Sequence, residues 1–455
     1  MPNGRTWTKL AVFLAAVNLA WSGSGAADSR KTGESEICMM SASNGYGDGK
    51  NNEMTAQNPE AEPNIPPVAG WNEFVDALRD LPVKMLEKLP EGQRNDPQIR
   101  QEVARLALSA LGSVTIDSLG GDPDFPAFLP TIGQVLGVGQ PNADTIYRAA
   151  RISADGVYRL SGTRGSLNQA MIGQVVPRNA ETGSGRAHLD INALKVDDED
   201  RFEVVISAQR PTGYNGDWWE LRPVANRLMV RLVSYDWAGE VSPKLALERI
   251  DRPMRKPRPS AEMLEKTLRA IPQAIGFLGP MFVDHVEQLR EEGYVHRFKE
   301  FDVSAIGGLA GQFYYETAYE LDDSEALIIE TAVPETCPYR SLILTNYIYE
   351  TTDWYNNHSS LNGHQSPLDS DGKWRVVISA RDPGVRNWLD TANYPVGVIQ
   401  GRWTNCSDHP IPNIKKVAFD DLAQHLPADA ERISTEEREE ILRARRQAMM
   451  QRPHW

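Results

Sequence analysis

Cysteine is scarce: three in 455 residues, too few for a fold built from disulfides. Basic charge is the minority sign, with 48 Lys and Arg against 62 Asp and Glu and a net charge of −14. A nucleic-acid surface needs a basic footprint, and attraction to anionic membranes needs one too, so neither partner is expected. The one local basic cluster, Arg252, Arg255, Lys256 and Arg258, is interleaved with Pro253, Pro257 and Pro259 and reads as a solvated linker. Familiar catalytic signatures are missing as well. There is no Gly-x-Ser-x-Gly elbow, His-Glu-x-x-His pair, phosphate-binding loop or dinucleotide fingerprint. After the first 26 residues, no stretch reads as long and apolar enough for a membrane helix.

What is present begins at the N-terminus. Arg5 and Lys9 precede an apolar run from Leu10 to Trp21, broken only by Asn18, and small residues follow from Ser22 to Ala27. This is the layout of a secretory signal cut after Ala26, so a periplasmic or extracellular protein is expected, without stable membrane insertion. Residues 27–66 hold few large apolar side chains and read as a disordered leader. Helical spacing follows over 67–140, with a break expected at Pro82 and a capped start at Asp96-Pro97. Strand patterns fill 141–255 and 301–410, separated by a helical linker over 256–300 with breaks expected at Pro272 and Pro280. Expected strands cover 146–152, 157–160, 202–207, 228–234, 313–321, 326–332, 341–349, 374–379 and 396–403, with a hairpin turn at Ala154-Asp155-Gly156. A helical tail occupies 411–455, and Ser434 with Glu437 forms a capping box.

The two strand regions resemble each other. Residues 204–208 and 376–380 both read Val-Val-Ile-Ser-Ala. Each follows an acidic turn, each leads to tryptophan (Trp218-Trp219 and Trp388), and each then reaches a strand bearing Arg231 or Arg402. Duplication explains the matched order of these features. The expected fold is therefore α+β and mainly β: two related antiparallel β-sandwich or jelly-roll-like lobes with flanking helical segments. Cys337 and Cys406 fall in the same lobe and are the pair best placed to bridge; three free thiols are the other reading.

Two segments carry candidate chemistry. The run from Arg381 to Thr391 holds Arg381, Asp382, Arg386, Asn387, Trp388 and Asp390 behind a Pro383-Gly384 turn. Guanidiniums, carboxylates and an indole together suit one wall of a ligand pocket, and Asp382 and Asp390 are candidates for acid–base work. The same residues also suit a structural loop, with internal ion pairs and Trp388 capping the core. The second segment offers Tyr147 and Arg151 on one face of a strand and Arg148 on the other; an inward Arg151 would need a carboxylate such as Asp144. Arg402 on the duplicated strand completes the candidate ligand set. His358, His364, Asp369 and Asp371 match no standard metal spacing, and neither metal nor cofactor is expected.

Several motifs resemble the uncharacterised-domain family numbered twelve-fourteen, often found with a companion domain numbered twelve-fifty-four. They are Asn142-Ala143-Asp144-Thr145-Ile146-Tyr147, Gly156-Val157-Tyr158-Arg159, Glu325-Ala326-Leu327-Ile328-Ile329, Cys337-Pro338-Tyr339, Ser360-Leu361-Asn362 and the run from Asp382 to Thr391. The likeness covers most of residues 140–410. Ala143 stands where that family usually has proline. The resemblance implies jelly-roll-like β domains and no settled activity; its relatives are frequent in bacteria that degrade steroids and other lipophilic compounds. Two functions are thus expected to compete. One is an exported protein that binds or processes a small molecule, a glycan or a cyclic lipophile such as a steroid or terpenoid, by a reaction left open. The other is a non-catalytic envelope or interaction scaffold.

Overall fold

The computed structural model describes residues 65–176, 188–302, 309 and 311–453. The expected signal, and most of the leader after it, lie outside them. Three helices come first: α1 (Trp71–Leu86), α2 (Glu91–Asn95) and α3 (Pro97–Gly120). Asp96 caps α3 by accepting from the backbone N–H groups of Gln98 and Ile99 at 2.8 and 3.0 Å. In the linker, α4 (Ala261–Leu278) and α5 (His285–Glu291) pack back onto them. Leu81, Met85, Val103, Leu106, Ile275 and Val286 share one buried cluster with Tyr347, Ile348 and Tyr349 of the second strand region. Each such side chain contributes about 1.5–3 kcal/mol on burial. That packing carries α1 through Pro82 and α4 through Pro272, where breaks were expected; the break at Pro280 does end α4. By length and composition α3 is apolar enough to cross a membrane, against the sequence reading. Here it is a packing helix with nine buried residues, among them the charged Glu102 and Asp117.

The first lobe comprises β1 (Leu129–Pro130), β2 (Thr145–Arg151), β3 (Tyr158–Thr163), β4 (Gln169–Val175), β5 (His188–Asp190), β6 (Arg201–Ser207), β7 (Asp217–Glu220), β8 (Arg227–Val233) and β9 (Lys244–Arg249). The second comprises β10 (Lys299–Asp302), β11 (Gln312–Glu320), β12 (Glu325–Ala332), β13 (Tyr339–Leu344), β14 (Ser360–Asn362), β15 (Lys373–Ser379), β16 (Trp388–Asp390), β17 (Val396–Thr404) and β18 (Asn413–Ala418). The first lobe forms a five-stranded sheet, β1-β2-β8-β4-β5, and a four-stranded one, β7-β6-β3-β9. The second forms β10-β11-β17-β13-β14 and β16-β15-β12-β18. Each strand of the first lobe has its counterpart nine labels later, in the same sheet position. Register agrees: Leu160 faces Val204 and Ile329 faces Val376, so the repeated Val-Val-Ile-Ser-Ala occupies equivalent strands.

Within each lobe the two sheets enclose one apolar core, with Tyr158, Leu160, Ile172 and Val230 in the first and Leu327, Ile378, Trp374 and Trp403 in the second. Pairing is antiparallel except for one short parallel pair in each lobe, β6–β7 and β15–β16. The turn at Ala154-Asp155-Gly156 is not a hairpin: it carries the chain from β2 in one sheet to β3 in the other. The strand expected over 341–349 stops at Leu344, and Tyr349 adopts a left-handed φ of 63°. Cys337 and Cys406 are bridged, tying β13 to the end of β17 across 69 residues of chain. The tail ends in α6 (Thr435–Gln451), where Ser434 and Glu437 form the capping box.

Candidate functional site

Side chains alternate between the two faces of a strand. In β2, β8, β11 and β17 one set enters the lobe cores, and the other points outward. The outward set includes Tyr147 opposite Arg231 in the first lobe, and Tyr314 opposite Arg402 in the second. These two pairs are equivalent by register, and they meet: the outer faces of the five-stranded sheets pack against each other as a buried polar layer. Arg402 donates to Gln140 Oε1 at 3.2 Å and Gln400 Oε1 at 2.5 Å and lies over the Tyr314 ring at 5.0 Å. Tyr147 and Tyr314 are the groups that bear electrostatically on Arg231, whose own pKa burial pulls below its usual value. Burial holds the Tyr147 phenol above its ordinary value, and so neutral. Nη1 of Arg231 and Nη1 of Arg402 have no hydrogen-bond partner among the described residues.

Two networks flank these pairs. Asp144 accepts from Trp237 Nε1 at 2.7 Å, Tyr339 Oη at 2.6 Å and Asn362 Nδ2 at 2.8 Å. Asn142 donates to the same Tyr339 oxygen at 2.8 Å. Three of the family-like motifs thus converge on one hydrogen-bonded knot between the lobes. Arg452, beyond α6, donates to the Asp144 carbonyl at 2.8 Å, so the C-terminus helps close the seam. On the other side, Glu316 is fully buried between His285 at 3.1 Å and Tyr349 at 3.3 Å. Burial opposes its ionisation, but interactions with His285, Lys299 and Gln400 together outweigh that and hold the carboxyl below its usual value.

The expected site residues separate into three groups. Tyr147 and Arg402 belong to the inter-lobe layer. Arg151 does not: it turns to α3 and pairs with Asp117, which also holds Arg227 at 2.9 Å. The carboxylate that meets Arg151 is therefore Asp117, not Asp144. The loop from Arg381 to Thr391 lies away from the layer, under the C-terminal tail. Asp382 pairs with Arg438 at 2.9 Å, Arg386 with Glu431 at 3.4 Å, and Arg381 stacks over Phe419 at 3.9 Å. Asn387 donates to the carbonyls of Pro367 and Arg375 at 2.8 and 3.0 Å. Trp388 is 5% exposed and donates to Ser379 Oγ at 3.0 Å. Asp390, its carboxyl raised by burial, accepts from the Ala392 backbone N–H at 2.7 Å. The negative charge of Asp382 also bears on Asp390, while Asp382 itself is held by Arg438. Arg386 and Asn387 do line a shallow cavity of about 130 Å³ with Pro367 and Glu431. His358, kept neutral by burial, packs against Trp388, while Asp369 and Asp371 both pair with Arg375.

Two larger cavities adjoin. One, of about 520 Å³, is mainly apolar and is lined by Ile116, Ile132, Leu136, Tyr147, Trp354 and Met449. The other, of about 480 Å³, is lined by Arg105, Asn346, Glu350, Asp353, Asn357 and Tyr394. Gln134 and Val135 line both, and Gln134 donates to Asp353 Oδ1 at 3.0 Å. Burial raises the Glu350 carboxyl above its usual value despite its ion pair with Arg105. Nearby backbone is strained: Tyr349, Ala392 and Asn393 all have left-handed φ values. Sequence reasoning missed Arg105, Glu350, Gln134 and Tyr314. Only Tyr314 had a signal, as the counterpart of Tyr147 in the duplication.

This architecture is shared. The chain is similar to the crystal structure of an uncharacterised protein from Burkholderia cenocepacia, with a TM-score of 0.69 and 26% identity over 77% of this chain and 97% of that one. A protein from Vibrio parahaemolyticus gives a TM-score of 0.42 at 12% identity, over 76% of this chain and 100% of that one. No family model matches the chain. No curated protein matches it either.

Proposed function

We propose that this is an exported protein that binds a small amphipathic molecule, with its apolar body beside Trp354 and Met449 and its polar end toward Arg105, Glu350 and Asp353. One observation carries this reading: an apolar and a polar cavity, each of a size that suits small ligands, lie side by side under the shared residues Gln134 and Val135. A cyclic lipophile bearing hydroxyl or keto groups fits that division better than a glycan, which lacks the apolar body. The Cys337–Cys406 bridge supports export, since disulfides persist in oxidising compartments. The family resemblance supports the reading through Tyr147, which is part of a family-like motif and lines the apolar cavity.

The test is thermal unfolding of residues 27–455 with sterols, terpenoid alcohols and oligosaccharides. A sterol or terpenoid should raise the melting temperature. Val135→Glu, at an exposed position on the shared rim, should weaken that binding about tenfold or more without unfolding the protein. No response from either lipophile class, or an undiminished response in Val135→Glu, would return the scaffold reading.

A further inference from the structure

We infer that the inter-lobe layer holds a second site, separate from the two cavities, in which a small oxyanion is clamped between Arg231 and Arg402. Donors there outnumber acceptors. Nη1 of Arg231, Nη1 of Arg402 and Nε2 of Gln140 are all buried without a hydrogen-bond partner, and the Gln140 oxygen is already taken by Arg402. Buried donors in folded proteins are almost always satisfied, so three together call for an acceptor. Charge makes the same demand. Arg231 is 6% and Arg402 2% exposed, and neither is ion-paired to a carboxylate among the described residues. Tyr147 and Tyr314, which bear electrostatically on both, are phenols. The buried carboxylates of the layer are already engaged, Asp144 by Trp237, Tyr339 and Asn362, and Glu316 by His285. Burial works against the Arg231 charge, whereas burial at Arg402 is outweighed by the surrounding phenols; a buried guanidinium without a counter-charge is costly.

The geometry fits an oxyanion. The two arginines occupy equivalent positions on equivalent sheets and reach the layer from opposite lobes. A guanidinium fork matches paired oxygens in one plane, the arrangement of a carboxylate or a face of phosphate. Gly173, on the neighbouring strand, lets Arg231 and His188 come close there: a Cβ would stand 3.1 Å from His188 Nε2 and 3.5 Å from Arg231 Nη1. The ligand would fasten both lobes at once, so its binding should read out as stability.

The experiment uses residues 27–455 in a zwitterionic buffer, titrated with sodium acetate and, separately, sodium phosphate, with sodium chloride at matched ionic strength as reference. Acetate or phosphate should raise the melting temperature above the chloride reference, and the stronger of the two identifies the oxyanion class. Arg231→Met and Arg402→Met should each bind at least about tenfold more weakly, as for a lost charge-assisted hydrogen bond. Arg159→Met, at an exposed surface ion pair, should respond as wild type does. In chloride alone, Arg231→Met should melt at or above wild type, because methionine removes an uncompensated buried charge. No oxyanion response in wild type, an undiminished response in both methionine variants, or an Arg231→Met protein that melts lower in every salt would overturn the inference. Val135→Glu should leave the oxyanion response intact, so failure of the amphipathic-ligand reading is separable from failure of this one.

Discussion

The loops that follow the two copies of Val-Val-Ile-Ser-Ala invite comparison. In the first lobe Trp218 donates to Ser207 Oγ at 3.0 Å, and that hydroxyl donates to the Gln209 carbonyl at 2.7 Å. In the second lobe Trp388 donates to Ser379 Oγ at 3.0 Å, which donates to the Arg381 carbonyl at 2.7 Å. The bonds are the same, and the surroundings are not. Trp218 is half-buried, while Trp388 is covered by a C-terminal segment that pairs Val385 with Arg432 and sends Arg438 into the loop. The charged residues that made 381–391 conspicuous in sequence therefore serve as the docking face for a segment some fifty residues downstream. A bond repeated in both lobes and a lobe-specific cover together resemble a pocket wall when read along the chain.

Breaking the seam should have the largest effect. Asp144→Ala leaves buried donors of Trp237, Tyr339 and Asn362 without their acceptor, and we expect a loss of about 3 kcal/mol or more in urea unfolding. A loss below 1 kcal/mol would mean that the lobes are not held together through this knot. Next come the paired tryptophans. Trp388→Ala should cost about 3–5 kcal/mol, and Trp218→Ala clearly less, because the first-lobe indole is only half covered. Equal costs would remove the asymmetry between the loops.

The loop carboxylates sharpen the same contrast at smaller scale. Asp382→Asn removes the partner of the buried Arg438, but about a third of the Asp382 side chain is open to water, so we expect about 1–2 kcal/mol. Asp390→Asn keeps an oxygen for the Ala392 N–H and should stay within about 0.5 kcal/mol at acid pH. The Asp390 carboxyl is raised on folding, so its ionisation opposes the folded state. Stability should fall as pH rises from the ordinary aspartate range through the folded pKa, and the Asn variant should lose that fall. The smallest effect is at Asp371, lowered from 3.8 to about 2, chiefly by hydrogen bonding to Arg375. Its contribution is fully present above 3.8 and is lost as pH falls toward 2, so Asp371→Asn should flatten that part of the acid limb in a pH series of melting temperatures.

Much of the frame could be read along the chain, because it depends on local pattern. The caps at Asp96 and Ser434 need only neighbouring residues, and the apolar pattern placed most of the expected strands within a residue or two, while β4, β7, β9 and β18 went unread. The duplication was visible because a buried strand and its indole contact repeat in the same order. Pro82 and Pro272 misled because tertiary packing outweighs a local breaker. Asp117 as the partner of Arg151 was invisible: it comes from a helix, 34 residues away along the chain.

The sequence by itself therefore determined the two related sandwiches, the helices before and between them, the capped tail, and the equivalence of Arg231 and Arg402. These follow from periodicity and repetition, which act over a few residues. Only the tertiary structure decided which face of each sheet meets the other lobe, that the loop after Trp388 is covered by the tail, and that Gln134 and Val135 divide an apolar cavity from a polar one. Those outcomes depend on contacts between residues tens to hundreds of positions apart, and a hydrogen-bond donor does not reveal in its own sequence whether its acceptor lies in the next strand or in the opposite lobe.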